Sequence, residues 1–180
     1  IQGDVTLWRW FEAFNTATIK WQGASSLNYP KKNFNITLLK EDGKKNKIKL
    51  VNSWGKQSKY TLKANWVDYS SARNVVSGKI YNQIVHSRDI EDDLLNAPNG
   101  GAVDGYPCLF YINNEYQGIY TLNIAKDNWM FGMNDEEIRQ ALLMGDLHNE
   151  SIYLNEPVKD DFSNGWELEY CSTEDKEGTK

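Results

Sequence analysis

The sequence is poor in the residues that build metal sites and disulfide frameworks. It has two cysteines, Cys108 and Cys171, and two histidines, His86 and His148. Neither pair has zinc-site spacing, and two cysteines do not make a disulfide scaffold. The two could join in one bridge, or remain thiols as is normal in a reducing compartment. Cys108 lies in the apolar run CLFYI, and cysteine's preference for burial favours a free thiol there. No apolar run is long enough to read as a membrane-spanning helix. A Walker-type phosphate loop and a Gly-x-Ser-x-Gly elbow are both absent. Two ordinary histidines give a Ser-His-Asp arrangement little to build on. The chain opens at Ile1 without methionine or a leader-like run, which reads as a piece excised from something longer.

What is present is a chain of 180 residues with 40% hydrophobic and 25% charged residues, the balance of one globular domain. At this size roughly 70% of the unfolded surface can be buried, so no covalent staple is needed. Aromatic residues are abundant, with 7 Trp, 10 Tyr and 6 Phe, and they favour strands and packed faces. The net charge of −5 hides an asymmetry. Residues 31–63 hold ten lysines against Glu41 and Asp42, whereas residues 156–180 hold eight acids against three lysines. The basic block reads either as a solvated sheet face or as a surface for a polyanion. Overall acidity argues against a nucleic-acid partner.

Along the chain, 4–14 carries a helical stripe of Leu7, Trp10, Phe11 and Phe14, with Asp4 as cap. Strands are expected at 16–22, 32–39, 46–51 and 59–66, with a polar loop GASSLNYP between the first two. One principal helix should span about 70–87, capped by Asp68 or Ser70, with Ala72, Val75, Val76, Ile80 and Ile84 facing the core and Gly78 a tolerated weak point. A second helical piece is expected at 89–96 and an exposed loop at 97–107. Two strands, PCLFYIN and YQGIYTLN, should form a hairpin at Asn113-Asn114-Glu115. A helical turn near 134–141, short strands LLM, SIYL and WELEY, and a frayed tail at 172–180 complete the pattern. The fold class is therefore α+β: a mainly antiparallel sheet of five or more strands with one principal helix packed on it.

Three blocks carry the functional signal. They are WQGASSLNYPKKNFNITLL at 21–39, YTLKANWVDYSSARN at 60–74 and LFYINNEYQGIYTL at 109–122. Their order and spacing resemble the CotH (spore coat protein H) family of atypical kinases, most strongly over 19–124. The resemblance implies that 1–180 is one CotH-like domain, truncated before its end. It implies ATP and Mg2+ as cofactors of the intact parent, which would phosphorylate a protein hydroxyl. Nucleotide-phosphate contacts would come from Ser25, Ser26, Lys31, Lys32, Lys63 and Arg73. The family's metal-binding and basic segment has no counterpart before Lys180, so the fragment itself should be inactive. Where the family has a Glu shortly after the hairpin, this chain has Ile124. That departure keeps a second reading open, a non-catalytic structural or interaction module of a cell-surface, spore-coat or phage-type assembly. The partner is then a protein substrate or an assembly partner, with no membrane involved. The resemblance suits a bacterial or phage setting.

The residue types suit the chemistry. A polyphosphate needs donors and positive charge on a rigid element. Gly23 permits a tight turn, and the loop's hydroxyl and N–H groups can face phosphate. Arg73, in the first turn of a helix, is disfavoured by the macrodipole unless an anion such as Asp68 holds it. Extrapolating the strand's period of two from Phe34, Ile36 and Leu38 puts Lys32 on the inward face and Lys31 outward. Lys32 is then expected to be the more buried, beside a carboxylate, carbonyls or an anion. Trp21, Trp54 and Trp66 are expected as buried strand aromatics rather than base-stacking rings.

Overall fold

A computed structural model describes residues 2–3, 16–88, 98–133, 141–145 and 166–171. The expected helix at 4–14, the helical piece at 89–96, the strand SIYL and the tail at 172–180 lie outside them, as does all but the last residue of the turn at 134–141. The chain divides into two compact units, Ile1–Lys126 and Asp127–Lys180.

The first unit is built on an antiparallel sheet. Its strands are β1 (Gln2–Gly3), β2 (Ala17–Gln22), β3 (Asn33–Leu38), β4 (Lys59–Lys63), β5 (Gly105–Ile112) and β6 (Glu115–Ile124), in the spatial order β1-β2-β3-β4-β6-β5. Register partners share a face, and alternation along each strand fixes which side chains lie together. Ile19, Ile36, Tyr60 and Ile124 form one row, and Trp21, Phe34, Leu62, Leu122 and Tyr106 the next. This is the apolar face; Ile36, Leu38, Tyr60, Leu62, Tyr120 and Ile124 are buried on it. Phe34, Phe110 and Tyr120 pack their rings together there at 5.0–6.1 Å. The other face is polar, yet its centre is also buried at Thr61, Thr121 and Asn123. Thr121 is satisfied by the segment after β4: Asn65 donates to its hydroxyl at 2.6 Å, and the hydroxyl donates to the Ser71 carbonyl at 3.3 Å.

The hairpin β5–β6 turns on Asn113 and Asn114, both left-handed at φ 50° and 64°. Two consecutive positive φ values give the turn whose twist matches that of the strands, and asparagine tolerates them. The expected strand at 46–51 does not form. Only single bridges appear there, Leu39 to Lys45 and Ile48 to Gln57. The reason is topological: β3 is paired on both sides by β2 and β4, and β4 by β3 and β6, so neither offers a free edge. Likewise β4 ends at Lys63 rather than Trp66, because Asn65 turns left-handed at φ 49°.

One helix, α1 (Arg73–His86), follows. Asp68 caps it, accepting the Arg73 N–H at 3.0 Å, while the Ser70 hydroxyl accepts the Ala72 N–H at 3.3 Å. Its packed side differs from the expected one. Val75 and Val85 are buried, whereas Val76, Ile80 and Ile84 stand half-exposed and Ala72 is exposed. The helix instead turns the stripe Val75, Gly78, Lys79, Asn82 and Val85 inward. A Cβ on Gly78 would lie 2.2 Å from the Val103 carbonyl oxygen, so the backbone of 102–104 runs directly against the helix. That segment is not the exposed loop expected at 97–107. Gly100, Ala102 and Asp104 are buried, and β5 begins at Gly105.

Asp104 explains why. At 3% exposure its carboxylate takes a hydrogen bond from the Trp54 indole N–H at 2.8 Å, the Lys79 ammonium at 2.6 Å and the Gly105 N–H at 2.8 Å. One buried carboxylate thus ties a loop, the helix and the edge strand together, with every donor charged or backbone-strong except the indole.

In the second unit, β7 (Ala141–Gly145) and β8 (Trp166–Cys171) pair antiparallel with a register shift between Leu142 and Leu143.

Candidate functional site

Ser25, Ser26, Lys31, Lys32 and Lys63 belong to one end of the sheet, where β2 and β4 finish and β3 begins beside the middle of β6, while Arg73 opens α1. Gly23 leaves β2 at φ 125°. A Cβ there would collide with the Ser26 hydroxyl, so only glycine lets the loop turn this tightly. Ser25 and Ser26 open a short 3-10 turn, Ser25–Asn28. Ser25 is exposed; the Ser26 hydroxyl accepts a long hydrogen bond from the Asn33 amide at 3.4 Å. Asn33 in turn accepts the Ala64 N–H at 2.7 Å, stitching the end of β4 to the start of β3.

Lys31 and Lys32 precede β3, and Lys31 departs from the expected phase. Lys31 is the lysine that reaches the apolar face. Its ammonium sits 4.3 Å from the centroid of the Tyr120 ring and donates to the carbonyls of Ala64 at 3.1 Å and Ile119 at 2.5 Å. Desolvation lowers its pKa, an effect partly opposed by Cys108. Burial likewise pushes the Cys108 thiol up, and Cys108 is a free thiol here. Lys32 stays with its own loop, donating to the carbonyls of Leu27 and Tyr29, each at 2.6 Å. The expected carbonyl cluster is present around it. Period two fails because both residues lie before the regular strand begins at Asn33.

Lys63 is on the polar face, where its ammonium donates to the Gln22 side-chain oxygen at 2.7 Å. Burial lowers its pKa, with Lys126 adding to the effect. Arg73 has a different character. Its guanidinium pairs with Asp68 at 3.6 Å and is largely exposed. The Asp68 pKa is held down by the Ser70 hydroxyl first and by the Arg73 N–H next.

The end of the sheet is therefore split. Lys31 and Lys32 serve the aromatic side, Lys63 and Ser26 the polar side, and Arg73 is bound up with the helix cap. Three ammonium groups, those of Lys31, Lys32 and Lys63, are held by neutral oxygens in every hydrogen bond just given. Their charge is thus not cancelled by those partners, whereas that of Arg73 is met by a carboxylate.

The CotH kinase protein family matches residues 19–146. The chain belongs to this family. No curated protein matches the chain. The three blocks that carried the resemblance fall within the matched span, and they supply the end of β2, the Gly23–Lys32 loop, β3, most of β4, the start of α1 and most of the β5–β6 hairpin. The matched span thus takes in the sheet from β2 to β6, the loop and the helix described above.

Sequence reasoning overlooked several residues at this end. Trp54 is buried as expected, but Trp21 and Trp66 are 63% and 46% exposed. Trp21 ends the apolar row beside Phe34, next to an edge that β1 covers only at Ala17 and Thr18. The signal available was its position: it is one residue from the strand's end and directly before Gln22-Gly23. Gln22 and Asn33 were overlooked too, although the pair Gln22–Asn33 closes the β2–β3 ladder where the loop departs.

Proposed function

We propose that this CotH kinase domain binds the phosphates of ATP at the Lys31, Lys32 and Lys63 end of its sheet, and that the intact parent passes the γ-phosphoryl group to a protein hydroxyl. One observation carries the reading: three ammonium groups at one end of a rigid sheet, two of them with lowered pKa, are held by neutral oxygens. A desolvated cation without a countercharge gains most from an anion. In phosphoryl transfer the protein's task is positioning and charge stabilisation, and Gly23, Ser25 and Ser26 add a tight turn with donors beside those cations.

Among the described residues no three His, Cys, Asp or Glu side chains gather as a metal site. The ligands that would hold Mg2+, and the base that would take the hydroxyl proton, are therefore assigned to no residue here. The 180-residue chain is expected to bind nucleotide phosphate without turning it over.

Calorimetric titration with Mg-ATP and with inorganic tripolyphosphate tests this. Lys31→Met and Lys63→Met should each weaken both ligands by about 1.5–3 kcal/mol, the range for a hydrogen bond to a charged group. Lys32→Met should cost less, since Lys32 is held within its own loop. Binding should also fade with rising pH earlier than a free lysine would allow, because burial lowers the Lys31 and Lys63 pKa values. Wild-type affinity in both the Lys31 and Lys63 variants would refute the site.

A second reading, the structural or interaction module, is favoured by Ile124. It is 1% exposed on the apolar face opposite Tyr60. The position where the family's carboxylate is expected is therefore core, closed to any ligand. Absence of ATP and tripolyphosphate binding by the wild-type chain would select this reading.

A further inference from the structure

We propose that Trp21 is the platform on which the base of the bound nucleotide stacks. The inference rests on the phosphate reading above and extends it to the other half of the ligand. Its ground is the position of one large ring. Trp21 is 63% exposed although it belongs to the apolar face of the sheet. An indole held so openly at the end of a strand gives up most of the burial that would otherwise account for it. Its neighbours on that row are better covered: Phe34 is partly covered, Leu62 is buried, and Tyr106 at the far end is 46% exposed.

Its surroundings suit a nucleotide. The Lys32 ammonium lies 6.0 Å from the centre of the Trp21 ring. A ribose bridges a comparable span between a base and its first phosphate. Lys31 stands on the same face, over the Tyr120 ring. Trp21 and Lys31 therefore present an apolar surface and a cation on one side of the sheet, and the Gly23 turn opens the loop two residues after Trp21. Phe34, the register partner of Trp21 on β3, packs against Phe110 and Tyr120 on the same face. Trp21 stands beside that cluster on a strand held by the β2–β3 ladder, and a rigid ring loses little entropy when a base settles on it.

The chemistry implied is stacking without edge recognition. Every base has a π-face, so a stack is tolerant of base identity and follows the area of the ring system. Purine nucleotides should bind more tightly than pyrimidine nucleotides, ATP and GTP should differ little, and tripolyphosphate should be weakest.

Titration of the 180-residue chain with ATP, CTP and tripolyphosphate in the presence of Mg2+ tests this. Trp21→Leu should weaken ATP about 5- to 150-fold, the range for one base stacked on an aromatic ring, and leave tripolyphosphate unchanged. Trp21→Phe should restore a large part of the loss, which a merely structural role for the residue would not predict. Circular dichroism melts check that the Leu variant keeps the wild-type fold; if it does not, the Phe variant alone decides, by an ATP-to-tripolyphosphate ratio that falls less than tenfold while CTP stays weaker than ATP. Unchanged ATP affinity in Trp21→Leu, or equal losses for ATP and tripolyphosphate, would overturn the inference and leave the phosphate site standing. Failure of the wild type to bind tripolyphosphate at all would remove the phosphate site and this inference with it.

Discussion

Substituting Gly78 by Ala sets two physical effects of known size against each other. In an exposed helix interior, Gly→Ala stabilises by about 1 kcal/mol through backbone entropy. Here the added methyl would stand 2.2 Å from the Val103 carbonyl oxygen and 3.3 Å from its carbon. Both are backbone atoms, so no side chain can swing away. Ordinary contact requires the helix and the 102–104 segment to separate by more than 1 Å, on the order of the misfit that costs about 1–3 kcal/mol in packed interiors. The same separation stretches the 2.6 Å bond between Lys79 and Asp104, one residue along each chain from the clash. A weakened charge-assisted bond adds about 1–2 kcal/mol. The net expectation for Gly78→Ala is a loss of about 2 kcal/mol. Ser77→Ala provides the control. Ser77 is exposed on the same helix, so its substitution meets only the propensity term and should stabilise by a few tenths of a kcal/mol. Urea unfolding followed by tryptophan fluorescence gives both values. A Gly78→Ala variant as stable as wild type, or more so, would show that α1 does not lie against the 102–104 backbone.

Two further outcomes follow from the core. Asp104→Ala removes the acceptor of the Trp54 indole, the Lys79 ammonium and the Gly105 N–H together; thermal melts should show a loss of about 3 kcal/mol, less than for a wholly buried ion pair because Lys79 can turn to solvent. Tyr60 donates to the carbonyls of Ile48 and Gln57, and burial pushes its pKa up to about 12. A group whose folded pKa is raised contributes fully below its unfolded value, near 10, and its contribution is lost as pH rises from about 10 to about 12. Tyr60→Phe should therefore flatten the decline in stability across that window, read as melting temperature against pH, and an unaltered slope would contradict the assignment.

The contrast between the hairpin and the helix shows where the sequence was legible. Asn113-Asn114 between two alternating apolar runs determines a two-residue turn by local chemistry alone, and the strands around it follow. The strands at 17–22, 33–38 and 59–63 were legible for the same reason, since a single buried face imposes period two. Helix α1 was legible as a helix, through its cap at Asp68, but not in orientation. Val76, Ile80 and Ile84 satisfy the hydrophobic pattern, yet the packed side is chosen by Gly78, which admits a neighbouring backbone, and by Lys79, which reaches a buried carboxylate. Neither contributes to a hydrophobic period. Asp104 was hidden in the same way. Its neighbours Asn99, Gly100, Gly101 and Gly105 have the composition of a solvated loop, and a charged residue among them gives no local sign that three donors from distant segments converge on it.

The two lysines after Pro30 show the same limit at the candidate site. Alternation is a property of residues whose backbone is extended and paired, and at Lys31 and Lys32 the pairing has not begun. Their directions are set instead by the closure of the Gly23–Lys32 loop. Gly118, across from Phe110 at a point where β5 and β6 shift register, makes room for Lys31. The Lys31 side chain passes over Gly118, where a Cβ would stand 3.4 Å from its Cε. The family's Gly-x-Tyr pattern in the hairpin, Gly118 and Tyr120 in this chain, thereby acquires a physical role. The glycine lets the lysine stem lie down on β6, and the tyrosine ring receives the ammonium at its end. The hairpin and the Pro-Lys-Lys loop, 88 residues apart at the bond from Lys31 to Ile119, are parts of one device. It holds a desolvated cation at the edge of an aromatic face, the position that the proposed phosphate site requires.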